Sequence, residues 1–392
     1  MILHYENKKS EREILGIPGA ELKIMSGKGS RNKLIQGGNV AVMRTLLDKH
    51  NLGGKIDLVY IDPPFATNGH FKISKDRANT ISSSNDDDIA YSDTLLGAEF
   101  LEFLRERLIF LRELLSDRGS IYLHIDYKIG HYVKIIMDEV FGKDHFRNDI
   151  TRIKCNPKNF DRKAYGNVKD MILFYSKSDN PIWHDIKVPF SDADAERLFK
   201  KTDKDGRKYT TIPLHAPGET ANGKTGGAWR GVKPPKGRHW RSDPKILEEL
   251  DKQGLIEWSA TGVPRKKIYL DEKEGKKMQD IWEFKDPQYP NYPTEKNLAL
   301  LKLIIGTSSN EGSIVLDCFS GSGTTALAAQ TLNRHWIGID QSEHAIRVAK
   351  ERLAALPTDL FSKLEYEVLA EEKSSTAKAA PRQIRKKVGA TS

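Results

Sequence analysis

The 392-residue chain is poor in cysteine, with only Cys155 and Cys318 far apart in the sequence. That excludes a disulfide framework and any cysteine-based zinc pattern. No apolar run approaches the roughly 20 residues that would span a bilayer. The first residues, "MILHYENKKSEREILG", lack the basic start and longer apolar core of a signal peptide. The setting expected from these absences is reducing and cytoplasmic, with no membrane partner. Metal-ligand spacing is also missing. The one acidic run, Asp86 to Asp88 in "SSSNDDD", reads as a solvated loop, so no metal is expected.

Acidic residues are absent from one further place, and that absence is informative. From Ala221 to Arg241, "ANGKTGGAWRGVKPPKGRHWR" holds six basic residues, no acidic one and two tryptophans. Residues 151–280 carry 28 Lys+Arg against 19 Asp+Glu, which accounts for the whole net charge of +9. Charge concentrated in a third of the chain suggests a surface that faces a polyanion. Lys224, Arg230, Lys233, Lys236, Arg238 and Arg241 are the candidate DNA contacts, chiefly to phosphates. Trp229 and Trp240 fit DNA contact and the core of a small domain equally well.

On either side of this basic stretch the pattern is α/β. "NKLIQGGNVAVMRTLLDKHNLGGKIDLVYID" reads as strand, turn, helix, turn, strand. The polar segment from Ala66 to Asp93 reads as a mobile loop. An amphipathic helix ending near Gly119 then feeds the strand "YLHID", whose His124 and Asp126 fit either catalysis or a polar strand end. After the insertion, "TEKNLALLKLIIGTSS" reads as a helix capped by Thr294. "GSIVLDCFSGSGTTALAAQTLN" reads as strand, glycine loop and helix. The expected division is 1–150 and 286–370 as two parts of one catalytic domain, 151–285 as a basic insertion, and 371–392 as a disordered basic tail.

Two short motifs carry the chemistry. In "IVLDCFSGSGTTALAA", glycines let backbone N–H groups approach a ligand at a helix N-terminus. Asp340 ends the next strand, 17 residues after Gly323, where an acid can accept hydrogen bonds from ribose hydroxyls. Together they point to a nucleoside-bearing cofactor. In "VYIDPPF", Pro63 and Pro64 stop a buried strand and offer no donor. The Asp62 carboxylate and the Pro63 carbonyl can then act as paired acceptors for an exocyclic amine, and Phe65 can stack on an extruded base. Read without function, the same segment is simply a strand terminator.

These motifs resemble those of amino-group DNA methyltransferases that use S-adenosylmethionine. "DPPF" precedes "DCFSGSG" by 255 residues, and this permuted order resembles the β class, which includes type III modification subunits. "YPTEKN" resembles that family's Y-P-T-x-K-P segment. The resemblance implies a Rossmann-like methyltransferase fold with circularly permuted motifs and an inserted target-recognition domain. It implies that Asp62, Pro63, Pro64 and Phe65 bind and activate the base. Asp317, Phe319, Ser320, Gly321, Gly323 and Thr324 would line the cofactor pocket, Asp340 would take the ribose, and Thr294 and Lys296 would lie near the cofactor's carboxylate. It further implies double-stranded DNA as partner, a homodimer, and a restriction subunit as possible company. "QGGN" stands where relatives often have G-D-N, so Gly38 lacks an acid that commonly contacts the cofactor's adenine. Asn297 replaces a usual proline.

The activity expected is methylation of adenine N6 in duplex DNA. The nearest alternative is cytosine N4 methylation by the same fold. A nicotinamide oxidoreductase would explain the glycine loop and Asp340 but leave DPPF and the basic insertion without a role. A catalytically silent DNA-binding protein would leave both motifs without one.

Overall fold

The computed structural model describes residues 2–27, 29–64, 97–157, 163–220, 223–286, 296–356 and 364–372, and the backbone of three short strands within 70–92. Phe65, Thr294 and the tail beyond residue 372 lie outside the described residues. Of the segment expected to be a mobile loop, His70–Ile73, Ala78–Asn79 and Asp88–Ser92 pair as an antiparallel sheet, and the rest lies outside.

Two units divide the chain: residues 1–184 with 279–392, and residues 185–278. The first is built on a ten-stranded sheet. Six neighbours in it are parallel, in the order Glu367–Glu371, Lys33–Gln36, His335–Asp340, Ile314–Asp317, Ile56–Ile61 and Leu115–Ile125. Lys169–Ser176 runs antiparallel beyond them. The central strands are apolar on both faces, as a sheet covered by helices requires. Ile35, Ile61, Ile121, Leu123 and Ile339 pack with the helices Asn39–Asp48, Gly97–Leu114 and Tyr127–Phe141. Helices Leu298–Ser308, Thr324–Thr331 and Glu343–Ala354 form a second packed group, with Leu300, Leu301 and Ile304 fully buried. This is a Rossmann-like α/β architecture, as the motifs implied.

The strand order reverses between Ile314–Asp317 and Ile56–Ile61, which lie side by side with Leu316 level with Val59. Their carboxyl ends therefore open at a topological switch point, where open α/β sheets bind ligands. Asp62 and Asp317, 255 residues apart in sequence, follow from adjacent strands.

Several boundaries differ from expectation. The separate unit starts at Asp185, not at 151, because Phe146–Ile153 and Lys169–Ser176 join the main sheet. Basic residues along 151–184 mask two strands whose inward positions, Ile150, Ile172 and Leu173, are buried. The helix expected to reach Gly119 ends at Leu114. The helix after the insertion starts at Leu298, with Asn297, not Thr294, as its cap. The Asn297 carboxamide oxygen accepts from the amide of Ala299 at 2.9 Å, a role proline cannot fill.

The second unit has a four-stranded antiparallel sheet, Lys201–Thr202, Lys208–Pro213, Pro264–Tyr269 and Ile256–Trp258. Its core is Leu214, Trp229, Trp240, Leu247 and Ile256. The tryptophans are thus packing residues: Trp240 is 1% exposed and its indole N–H donates to the carbonyl of Gly227.

Candidate active site

The Ile56–Ile61 strand delivers Asp62 to the edge of the sheet, where buried Pro63 and half-buried Pro64 halt the ladder. The two carboxylate oxygens of Asp62 then differ. Oδ2 lies 2.7 Å from the Lys296 ammonium, both groups being largely shielded from water. Oδ1 is buried and accepts no hydrogen bond among the described residues. A buried acceptor without a donor costs about 1–3 kcal/mol, which an incoming N–H would recover. Lys296, expected near the cofactor, is thus seated on the Asp62 carboxylate.

Behind Asp62 is a buried polar chain. Neutral His124 receives the Tyr60 hydroxyl at Nδ1 (3.0 Å) and presents Nε2 to Asp170 (3.2 Å), a tautomer assigned from its partners. Lys154 donates to Asp170 at 2.6 Å, and Arg152 bridges Asp170 and Asp286. Burial, then the charge of Lys296, pushes the His124 pKa below its ordinary value. Burial works against the charge on Asp170, but the hydrogen bonds from His124 and Lys154 outweigh it and hold its pKa below the ordinary value. This chain stiffens Tyr60 and His124, side by side beneath the DPP turn. Asp126, the other residue of "YLHID" considered for catalysis, caps the next helix by accepting from the amide of Lys128.

On the neighbouring strand, Asp317 is a clasp for the glycine loop. It accepts from the amide of Phe319 at 2.9 Å and the hydroxyl of Thr325 at 2.6 Å, and burial pushes its carboxyl up to about 7. Gly323 opens the helix with φ +78°, and a Cβ there would fall 2.9 Å from the Cβ of Ala349. Arg352 holds the loop from behind, donating to the Ser322 carbonyl and hydroxyl and to the Thr324 hydroxyl at 2.9 Å. Thr324 is therefore engaged by Arg352. Phe319 is half-buried against Phe103, with ring centroids 6.1 Å apart.

Asp340 receives the Gly321 amide on one oxygen and the Ser342 amide on the other, both at 2.8 Å. Each oxygen keeps a lone pair that a ribose hydroxyl can use, and burial raises its pKa. Ser320 adds a buried hydroxyl without a partner among the described residues. An unmet hydroxyl, a glycine loop and a carboxylate one strand away fit a nucleoside cofactor. The described residues contain no His/Cys/Asp/Glu cluster able to hold a metal, and none of their helices is long and apolar enough to cross a membrane.

In the second unit, Lys224, Lys233, Lys236, Arg238 and Arg241 are exposed. Arg230 is exposed as well, and its guanidinium grips Glu248 at 2.7 and 2.9 Å and also Asp251, bracing the Pro244–Lys252 helix beside the tryptophan core. Residues missed from the sequence are Tyr60, Asp170, Lys154 and Arg152. Their only signal is polar residues facing one side of otherwise apolar strands.

A fold with an acceptor turn beside a nucleoside-type loop defines a class of group-transfer enzymes. Similarity to known proteins refines this: the DNA methylase family matches residues 56–351. The type II methyltransferase M.EcaI of Enterobacter cloacae is 44% identical over 311 residues, covering 77% of this chain and 65% of that protein. The StyLTI Mod subunit of a type III restriction-modification enzyme of Salmonella typhimurium is 27% identical, covering 81% and 52% respectively. The chain thus spans less than two thirds of each relative's length. Among solved structures, the M1.HpyAVI–SAM complex aligns at 18% identity over 82% of this chain and 99% of its own, with a TM-score of 0.41. PvuII DNA methyltransferase (cytosine-N4-specific) aligns at 12% identity over 86% and 92%, with a TM-score of 0.46. The chain belongs to the DNA methylase family, whose cofactor is S-adenosylmethionine.

Proposed function

We propose that this protein methylates the exocyclic N6 of adenine in duplex DNA, after the base has left the helix. The observation that carries the reading is the buried Oδ1 of Asp62 at the switch point, one strand from the Asp317 loop and without a partner among the described residues. S-Adenosylmethionine, bound along that loop, supplies a methyl group made electrophilic by a positive sulfur. Its holders would be the Gly321–Gly323 turn, Ser320, Phe319 and Asp340, with Asp317 shaping the loop.

The chain's own residues do the rest. Asp62 Oδ1 accepts one N–H of the target amine and the Pro63 carbonyl a second, which favours a pyramidal, nucleophilic nitrogen. Lys296 keeps Oδ2 from competing for the same proton. The surplus proton of the amine passes to water, so Asp62 acts as a clamp and need not be a general base. Base extrusion is required because the N6 of a stacked, paired adenine is out of reach of a sheet-edge site. The exposed cations of residues 185–278 supply the phosphate contacts that bring DNA to the enzyme. The aspartate of DPPF is what favours adenine over cytosine, by resemblance to adenine-specific members.

The test is incubation with methyl-labelled S-adenosylmethionine and mixed genomic DNA, followed by digestion and nucleoside chromatography. Label in N6-methyladenine is the expected result. Label in N4-methylcytosine would keep the clamp and overturn the adenine assignment. No label in any DNA would overturn the reading.

A further inference from the structure

The carboxyl edge of the sheet holds one acid that neither motif accounts for. Strands His335–Asp340, Lys33–Gln36 and Glu367–Glu371 lie side by side and parallel, with Gln36 level with both Asp340 and Ala370. Glu371 therefore ends its strand at the same edge as Asp340, two strands or about 10 Å across. Its side chain turns back over the intervening Gly37–Gly38 turn. Oε2 accepts from the Gly38 amide at 2.8 Å, while Oε1 makes no hydrogen bond among the described residues. The turn itself abuts the ribose acid, since the Gly37 amide donates to the Asp340 carbonyl at 3.0 Å.

The geometry points to Glu371 as the acid that reads the cofactor's adenine, supplied from the last strand in place of the one absent at Gly38. This rests on the assignment of S-adenosylmethionine as cofactor. A nucleoside whose sugar is held by Asp340 and whose sulfur end lies toward the Asp317 loop must extend its base the other way, over Gly37 and Gly38. There Glu371 Oε1 can accept from the exocyclic amine of adenine, which a 6-oxo purine lacks.

The two glycines carry the same message. A Cβ at Gly37 would fall 2.9 Å from Val42 Cγ2 and 3.0 Å from both Cβ and Oε2 of Glu371, so a larger residue there would crowd Glu371 as it lies here. At Gly38 the backbone is ordinary, with φ −67° and ψ 119°, and a Cβ would meet only Glu371 Oε2, at 3.7 Å. A side chain fits at 38. What opposes an aspartate there is the charge of Glu371, and the two acids are alternatives for one task. The competing structural role is that Glu371 merely caps the Asn39–Asp48 helix, whose first free amide it receives. A cap would affect all ligands equally.

Calorimetry without DNA separates these roles, using S-adenosylhomocysteine and its inosyl analogue, in which the amine is a carbonyl. The parent protein should bind the adenosyl compound at least about tenfold tighter, because the analogue sets an oxygen against a carboxylate. Glu371→Ala should lose that preference, and Glu371→Gln, whose amide can donate to the carbonyl, should relax or reverse it. Gly38→Asp should weaken adenosyl binding in the parent and restore it in Glu371→Ala. Tight adenosyl binding with equal losses for both ligands in Glu371→Ala, or no rescue by Gly38→Asp, would overturn the inference and leave the cofactor assignment standing. Failure of the parent to bind S-adenosylhomocysteine at all would overturn the assignment, and the inference with it.

Discussion

In the α/β unit the charged groups that matter lie below the surface, and each has a defined partner: Asp62 is held by Lys296, Asp170 by His124 and Lys154, Asp317 by Thr325 and the Phe319 amide. In residues 185–278 the cations are mostly exposed, around a core of tryptophan and leucine that contains no ionisable side chain. Buried charges in low dielectric fix geometry, because misplacing one costs several kcal/mol. Exposed charges fix little, an ordinary surface pair being worth about 0–1 kcal/mol, but they act additively on a polyanion. On the proposed function, one unit would position a reacting atom and the other would be attracted to a long ligand.

Substitutions can break that contrast. Asp62→Ala should lower methyl transfer about 10³-fold or more while DNA binding stays within a few-fold, measured by single turnover and by titration. Near-parental turnover would remove the clamp from the mechanism. Trp240→Ala should destabilise residues 185–278 by about 3–5 kcal/mol and abolish DNA binding. S-Adenosylhomocysteine binding should persist, because the loop that holds it lies in the other unit. Lys296→Met should reduce kcat about 10–100-fold by releasing Asp62 Oδ2, with Lys296→Arg recovering part of it. A change confined to the KM for the cofactor would return Lys296 to the carboxylate-binding role expected from the sequence.

The exposed cations should act more gently. Replacing Lys233, Lys236 and Arg238 together by alanine should weaken DNA binding and flatten its salt dependence, by about 0.9 in log–log slope for each phosphate no longer neutralised. Arg230→Ala, by contrast, should lower thermal stability through Glu248 and Asp251 and hardly alter the salt slope.

The smallest effect concerns Asp317. Its folded pKa, about 7, lies above the ordinary carboxylate value near 4. The folded state thus binds the extra proton between those values. Stability from this group is present in acid and is lost as pH rises from about 4 through 7. Asp317→Asn keeps an acceptor for the Phe319 amide, lets its own amide donate to the Thr325 hydroxyl in place of accepting from it, and removes the charge. The melting temperature of the variant relative to the parent should therefore rise between pH 5 and pH 8.

How much of this is legible in the sequence depends on how local each cause is. Asp62 declares itself because two prolines and an aromatic ring follow it, and Asp317 because a glycine loop does. Asp170 passes for the polar start of "DMILFYSK", since its partners His124, Lys154 and Arg152 meet it only across the sheet. Charge composition sets the start of the insertion 34 residues too early, because it is blind to strand pairing. The ion pairs of Arg230 with a helix 18 residues on leave no local mark in the sequence.

The sequence by itself determined the α/β class, the two motifs with their permuted order, and the concentration of positive charge between them. These are set by near neighbours: proline's missing donor, glycine's free φ, and the alternation of apolar and polar side chains. Tertiary structure alone decided that Lys296 sits on Asp62, that a histidine–aspartate chain stands behind it, and that Glu371 overhangs Gly38. Each joins residues dozens to hundreds of positions apart, and only the packing of strands and helices in the folded sheet brings them together.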